Sequence, residues 1–197
     1  ALRQVRVTRP VARRASGEKG GVVPAAQVFA LSGAAAAELG TAVHALLAQI
    51  EWLAPGDLAA VRAAWTQAAA SDAALSEAWR CVQAPALADV WARPAGAAEV
   101  WRERAFEVLL DGAWITGVFD RVVVRREASG AAREAVVFDF KTDRVSEAAE
   151  VARAVERHTP QLALYRRVVA VLTGLAPAAV RAELVFSATG TRAAVPH

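Results

Sequence analysis

Val136-Val137-Phe138-Asp139-Phe140-Lys141-Thr142-Asp143 reads as an apolar strand that ends in alternating charge. Residues i and i+2 of a strand share a face, so Asp139 and Lys141 point one way while Phe138 and Phe140 point the other. The phenylalanines suit a buried face. The opposite face then carries a carboxylate and an ammonium two residues apart. Lys141 stands out for a second reason. The chain has 23 cationic side chains, and all but Lys19 and Lys141 are arginines. Arginine stays protonated in proteins, whereas a lysine shifts its pKa when desolvated, so a lone lysine in a patterned strand has a chemical rationale.

Upstream, Gly117-Val118-Phe119-Asp120-Arg121 lies inside a long strand, Trp114–Arg126, and Ala128-Ser129-Gly130 marks a turn between the two strands. Folding about Ser129-Gly130 places Asp120 opposite Asp139. Two carboxylates so close repel each other unless something neutralises them. Mg²⁺ does so, binding through one or two carboxylates with waters and phosphate oxygens completing its shell. A slip of one residue would send Asp120 to the other face, so the reading depends on register. Two carboxylates, a metal and a lysine suit phosphodiester hydrolysis: the metal polarises a phosphoryl oxygen and lowers the pKa of water. The lysine can orient or deprotonate that water, or stabilise the developing charge. An exposed Asp139–Lys141 salt bridge is the plain alternative for that pair taken alone.

The rest of the chain sets these strands in a mixed sheet. Residues 1–31 read as a basic extended arm or linker. Leu39, Val43, Leu46, Leu47, Ile50 and Leu53 recur at helical spacing and predict a helix over 34–53, with Ser32 as a possible N-cap and Pro55-Gly56 as its end. Asp57 can cap a second helix over about 58–70, and a third runs over about 73–82. After Gly96 the period changes from helical to alternating. A strand over 99–109 joins the strand at 114 through Asp111-Gly112, a strong hairpin signal. Ser146 can cap a helix to about residue 157, and Thr159-Pro160 opens another that ends at Gly174. A last strand covers 182–187. The fold class is α/β: a central mixed sheet flanked by helices (97–197), preceded by a helical layer (32–96).

Composition removes several classes. One cysteine, Cys81, builds neither a disulfide nor a four-cysteine zinc or iron–sulfur centre. Neither lysine follows a glycine, so no phosphate-binding GxxxxGK[ST] loop, and hence no ATP site of that kind, is present. No run of 18 apolar residues and no signal peptide appear. The chain starts at Ala1 and lacks Met, which reads as a piece of a longer protein. The net charge of +3 resides in the first 20 residues, at +5, and the remainder carries −2. The arm is thus a solvated linker or a nucleic-acid-tracking segment. The six tryptophans, four of them in the helical half, are expected in the core.

Five pieces occur in one order: Gly40-Thr41-Ala42-Val43-His44, Trp101-Arg102-Glu103-Arg104-Ala105-Phe106, the Gly117–Arg121 stretch, the Asp139–Asp143 stretch, and Gln161-Leu162-Ala163-Leu164-Tyr165. Together they resemble the PD-(D/E)xK nuclease core in its RecB-like form, with its Gly-x-x-x-His and Gln-x-x-x-Tyr helices. Ala105 stands where that pattern has Pro. The Gly-x-x-Asp-Arg strand and the Lys-Thr-Asp ending are most similar to the C-terminal nuclease domain of AddA-type helicase–nucleases. The resemblance implies a restriction-endonuclease-like fold over 32–197. It implies Asp120, Asp139 and Lys141 as catalytic, with His44, Asp120, Asp139 and the Phe140 carbonyl as metal ligands. Glu103, Gln161 and Tyr165 would lie near the metal or the DNA. His158 matches no motif and is expected on the surface.

The implied activity is a Mg²⁺-dependent DNA exonuclease, with Mn²⁺ substituting in vitro. Its partners would be single-stranded DNA, a helicase motor upstream in the same polypeptide, and an AddB-like subunit. Its place would be the bacterial cytoplasm, in double-strand break repair and recombination. A catalytically inactive DNA-binding scaffold and a stand-alone RecB-like exonuclease are the alternatives.

Overall fold

The computed structural model describes residues 34–54 and 56–197, together with the backbone of Val23 and Pro24. The basic arm, apart from that pair, and the Ser32 cap lie outside the described residues. The elements are β1 (Val23–Pro24), α1 (Ala34–Leu47), α2 (Leu58–Ala68), α3 (Asp72–Gln83), α4 (Ala88–Trp91), β2 (Ala97–Leu110), β3 (Ala113–Arg126), β4 (Ala132–Lys141), α5 (Ala148–Thr173), β5 (Val180–Phe186) and β6 (Thr191–Ala194).

The sheet runs β2-β3-β4-β5-β6, and β1 lies beside β3 at Ile115 and Thr116. β2, β3 and β4 form an antiparallel meander. β4 and β5 are parallel, as a strand–helix–strand crossover through α5 requires. β6 returns antiparallel on β5. The sheet is therefore mixed and has helices on both faces, an α/β architecture consistent with the restriction-endonuclease-like expectation. The register of β3 on β4 is the one expected from the Ser129-Gly130 turn between Arg125–Glu134 and Arg121–Phe138; the ladder ends there, and the Asp120 carboxylate beyond it accepts from Phe140 N–H.

Each sheet face has its own core. Phe138 and Phe140 pack with Val43, Leu46, Leu47, Trp65 and Trp91 of the helical layer. On the other face Ala154, Leu162, Tyr165, Val168 and Val169 of α5 cover Val122, Val124, Val137 and Leu184. Trp65, Trp91 and Trp101 are buried as expected, but Trp114, at the hairpin tip, is 52% exposed.

Three expectations about helix ends are corrected. First, α1 stops at Leu47 rather than Leu53. The carbonyls beyond its end are taken by arginine side chains: Arg102 Nη1 donates to Ala48, and Arg121 Nη1 and Nη2 donate to Ile50 and Glu51. Second, the Asp57 side chain turns back to accept from Ala54 N–H at 2.7 Å and makes no cap on α2. Third, residues 148–173 form one helix, not two, with Pro160 inside it. Its cap is Glu147, paired with Glu150 in a capping box, rather than Ser146. Pro160 removes one backbone donor at a cost of about 3 kcal/mol. Its neighbours Glu156 and Arg157 face solvent, where water can serve the freed carbonyl, while Ala154, Leu162 and Tyr165 on either side are buried in one continuous stripe. Burial of that stripe outweighs the local break.

Candidate metal and catalytic site

The site lies where β2 and β3 change phase. In β2 the side chains on the α5 face are Trp101 and then Phe106, Val108 and Leu110, so the parity switches between 101 and 106. In β3 the same face takes Phe119 and then Val122 and Val124. The pairs Arg102–Arg121 and Arg104–Phe119 flank the switch, and Glu103 and Asp120 between them are unpaired. Glu103 has a φ of 42°, in the left-handed region. Irregularities of this kind re-aim side chains and recur beside active sites. Here the two carboxylates reach His44 near the end of α1, and the arginines beside them reach the carbonyls just past that end.

His44, from the last turn of α1, completes the group. Its Nδ1 lies 3.4 Å from Asp120 Oδ1 and 3.7 Å from Glu103 Oε1. One ligand atom from each of His44, Glu103 and Asp120 falls within 4.8 Å of the others. Asp120 divides its oxygens, since Oδ2 accepts from Phe140 N–H at 2.7 Å. The backbone of β4 thus orients this carboxylate.

Asp139 and Lys141 adjoin this group as a pair. Lys141 Nζ is 2.7 Å from Asp139 Oδ2, the length of a charge-assisted hydrogen bond. Gln161 bridges the centre: its Nε2 donates to Asp139 Oδ1 at 3.4 Å and to the Tyr165 hydroxyl at 3.1 Å, and its Oε1 accepts from Lys141 at 3.5 Å. Tyr165 packs edge-on against Phe106 and Phe119. A Cβ added at Gly117 would come within 2.6 Å of the Phe106 ring, so that ring reaches its place only because residue 117 is glycine. Gly40, one turn before His44, is not required sterically: a Cβ there would meet Thr142 at an ordinary 3.8 Å.

The charges are interlocked. Burial disfavours the imidazolium of His44, but Asp120 and Glu103 overcome it and push the pKa up to about 10. Burial also opposes ionisation of Asp120, yet His44 and Lys141 hold its carboxyl below the usual range. Asp139 goes the other way: burial and the neighbouring Asp120 raise it to about 6 against the pull of Lys141. Burial works against the charge of Lys141, and Asp139 and Asp120 more than compensate, so its pKa is raised. Lys141 is therefore an ammonium in the metal-free protein, suited to orienting and stabilising charge; the alternative role as a proton acceptor is not favoured by this arrangement.

The residues fit a divalent cation. One imidazole and two carboxylates converge, and a third, buried carboxylate adjoins them; the carboxylates suit Mg²⁺ and Mn²⁺, and the imidazole adds a donor that favours first-row transition ions. The cluster of three contains His44 and Asp120 as expected. It adds Glu103, expected only nearby, and leaves Asp139 beside it in the ion pair. Phe140 enters through its N–H. His158, expected on the surface, is half-buried: its two ring nitrogens are shut off from solvent and lack a partner, and burial, with Lys141 nearby, lowers its pKa to about 4.

Among the described residues no helix is long and apolar enough to cross a membrane. No curated protein matches the chain. The family description that does match is the PD-(D/E)XK nuclease superfamily, over residues 20–194. That span takes in both helical and sheet parts and every residue of the constellation above, so the chain belongs to the PD-(D/E)XK nuclease superfamily.

Proposed function

We propose that this chain hydrolyses DNA phosphodiester bonds with Mg²⁺, and that Mn²⁺ replaces Mg²⁺ in vitro. The observation that carries the reading is the convergence of His44, Glu103 and Asp120 beside a buried Asp139–Lys141 pair. A divalent cation held there would polarise a phosphoryl oxygen and ease deprotonation of water. His44 and Asp120 would hold it, with Asp139 and Glu103 close enough to share the task. The ammonium of Lys141 offsets the charge that grows on the phosphate during attack. Gln161 fixes both members of the Asp139–Lys141 pair, and Tyr165 fixes Gln161.

The finer reading is exonucleolytic action on single strands by the C-terminal part of an AddA-type helicase–nuclease. It rests on the Gly117–Arg121 and Lys141–Asp143 stretches and their likeness to that group. It brings with it a motor upstream in the same polypeptide, an AddB-like partner, and a role in break repair in the bacterial cytoplasm. Outside the arm the net charge is −2, a weak electrostatic funnel for a polyanion, which suits a strand delivered by a motor.

Asp139→Ala and Lys141→Ala each test the chemistry. Both should abolish Mg²⁺-dependent release of nucleotides from an end-labelled single strand while circular dichroism stays unchanged. The folded state should tolerate loss of Lys141, because Asp139 can take up a proton when its partner is gone. Undiminished activity in both purified variants would overturn the assignment.

A further inference from the structure

Beneath the two carboxylates lies a pair of arginines whose role the motif pattern does not assign. Arg102 and Arg121 are cross-strand partners, and each is the chain neighbour of a candidate ligand: Arg102 precedes Glu103 and Arg121 follows Asp120. Arg121 is 1% exposed. Its Nε donates to Val90 O at 3.0 Å, and its Nη1 and Nη2 donate to Ile50 O and Glu51 O, both at 2.8 Å. The guanidinium lies over Trp52 and Trp91, 5.3 and 5.1 Å from the ring centres. Arg102 Nη1 donates to Ala48 O at 2.8 Å, and Nη2 lies 3.9 Å from the Glu51 carboxylate. Ala48 N–H donates in turn to the carbonyl of His44.

Apolar packing holds α1 on the sheet, but such contact is not directional and lets a helix slide. A ligand at hydrogen-bond range cannot tolerate sliding. Charge-assisted bonds from a planar guanidinium to carbonyls are directional and short. Three of them reach Ala48, Ile50 and Glu51, immediately past the turn that carries His44. Cations are also favoured there by the helix dipole.

Resting on the metal-centre reading above, we propose that Arg102 and Arg121 form a clamp that sets the position of His44 against Glu103 and Asp120. They are positioning residues and touch neither metal nor substrate. The strand irregularity at Glu103 and Asp120 aims the carboxylates at His44, and the arginines beside them reach the carbonyls just past the end of the same helix. The imidazole and the carboxylates are thereby brought to a common distance by the same two strand positions.

The test is Mn²⁺ affinity of the 197-residue chain by calorimetry, for Arg102→Gln and Arg121→Lys, each alone and combined with His44→Ala. Arg102 is partly exposed, so its variant keeps the experiment decisive even where the buried Arg121 variant fails to fold. Val180→Ala, fully buried at the start of β5 opposite Ala135 in the core on the other face of the sheet, controls for general destabilisation. The expected result is roughly tenfold weaker Mn²⁺ binding in each arginine variant, the scale seen when outer partners of metal ligands are removed. The arginine change should add less than about a factor of two once His44 is already Ala. Val180→Ala should lower the melting temperature and leave the affinity of the folded protein alone. Wild-type affinity in Arg102→Gln, or an equal loss with and without His44, overturns the clamp. Absence of Mn²⁺ binding in the wild type overturns the metal centre itself, and the clamp with it.

Discussion

The charge state of His44 makes the affinity for a divalent cation strongly dependent on pH. Metal ions bind the neutral imidazole, so the proton on His44 must leave when a cation arrives. Asp120 at 3.4 Å and Glu103 at 3.7 Å hold that proton on, with a pKa near 10. At neutral pH, about three units lower, roughly one molecule in a thousand presents a free ring nitrogen. The apparent affinity should then lie about a thousandfold below its limiting value and rise about tenfold per pH unit from near neutrality to about pH 9. The sign follows from the direction of the shift: a raised histidine pKa means protons compete with the metal over the whole window, and base favours binding. Below about pH 6 the slope should steepen, because the Asp139 carboxyl, raised to about 6, begins to take up a proton as well. The assay is Mn²⁺ calorimetry in buffers of different ionisation enthalpy, which counts the protons released per ion bound. Near pH 7.5 about one proton should leave per ion, and none in His44→Ala. A wild-type affinity flat between neutrality and pH 9, with no proton released, would refute the assignment of His44 as a protonated ligand.

Gly117→Ala should destabilise the fold by about 1–3 kcal/mol, as overpacked core positions do. The loss of nuclease activity should exceed that expected from stability alone, since the displaced Phe106 ring bears on Tyr165 and through it on Gln161; melting temperature and kcat measured on one preparation decide this. Gly40→Ala, by contrast, should be neutral or stabilising by up to about 1 kcal/mol, because the site has room and alanine is the better helix former. His158 should make the protein acid-sensitive. Its pKa is about 4 folded and near 6.5 unfolded, so the unfolded chain binds the proton first and stability falls as pH drops through that window. Replacing His158 with Leu should flatten that part of the pH dependence in urea unfolding; an unaltered slope would show that other groups set it.

Much of this architecture follows from local chemistry. The hairpin at Asp111-Gly112 and the turn at Ser129-Gly130 fix two connections, and the Phe138/Phe140 against Asp139/Lys141 alternation fixes which face of β4 meets which layer. Where the reading failed, distant residues decided the outcome. Nothing local ends α1 at Leu47; arginines fifty to seventy positions away take its carbonyls. Nothing local carries α5 through Pro160 either; the helix survives because the core on the sheet needs an unbroken stripe from Ala154 to Val169. The same continuity bears on His158: a helix start at Thr159 would leave it in a loop, whereas it lies inside the helix, half-buried, three residues before Gln161 and with its ring nitrogens covered.

Glu103 shows what kind of signal was present but unread. An alternating strand would place Arg102 and Arg104 on one face and Glu103 on the other, making Glu103 a residue of no special standing. Yet the apolar positions of β2 run on odd numbers at Trp101 and on even numbers from Phe106 to Leu110. Those of β3 run from the odd Phe119 to the even Val122 and Val124. A parity change in one strand alone would be an ordinary bulge. The same change at facing positions of two adjacent strands, with Glu103 and Asp120 filling the gap, cannot serve packing, because it sets two carboxylates together at the cost of a ladder pair. Such a break persists only where the surroundings hold it, and here the Arg102–Arg121 contacts to the end of α1 do so. The phase of the apolar residues therefore marks Glu103 as a member of the His44–Asp120 group, which its place in a motif left one step away.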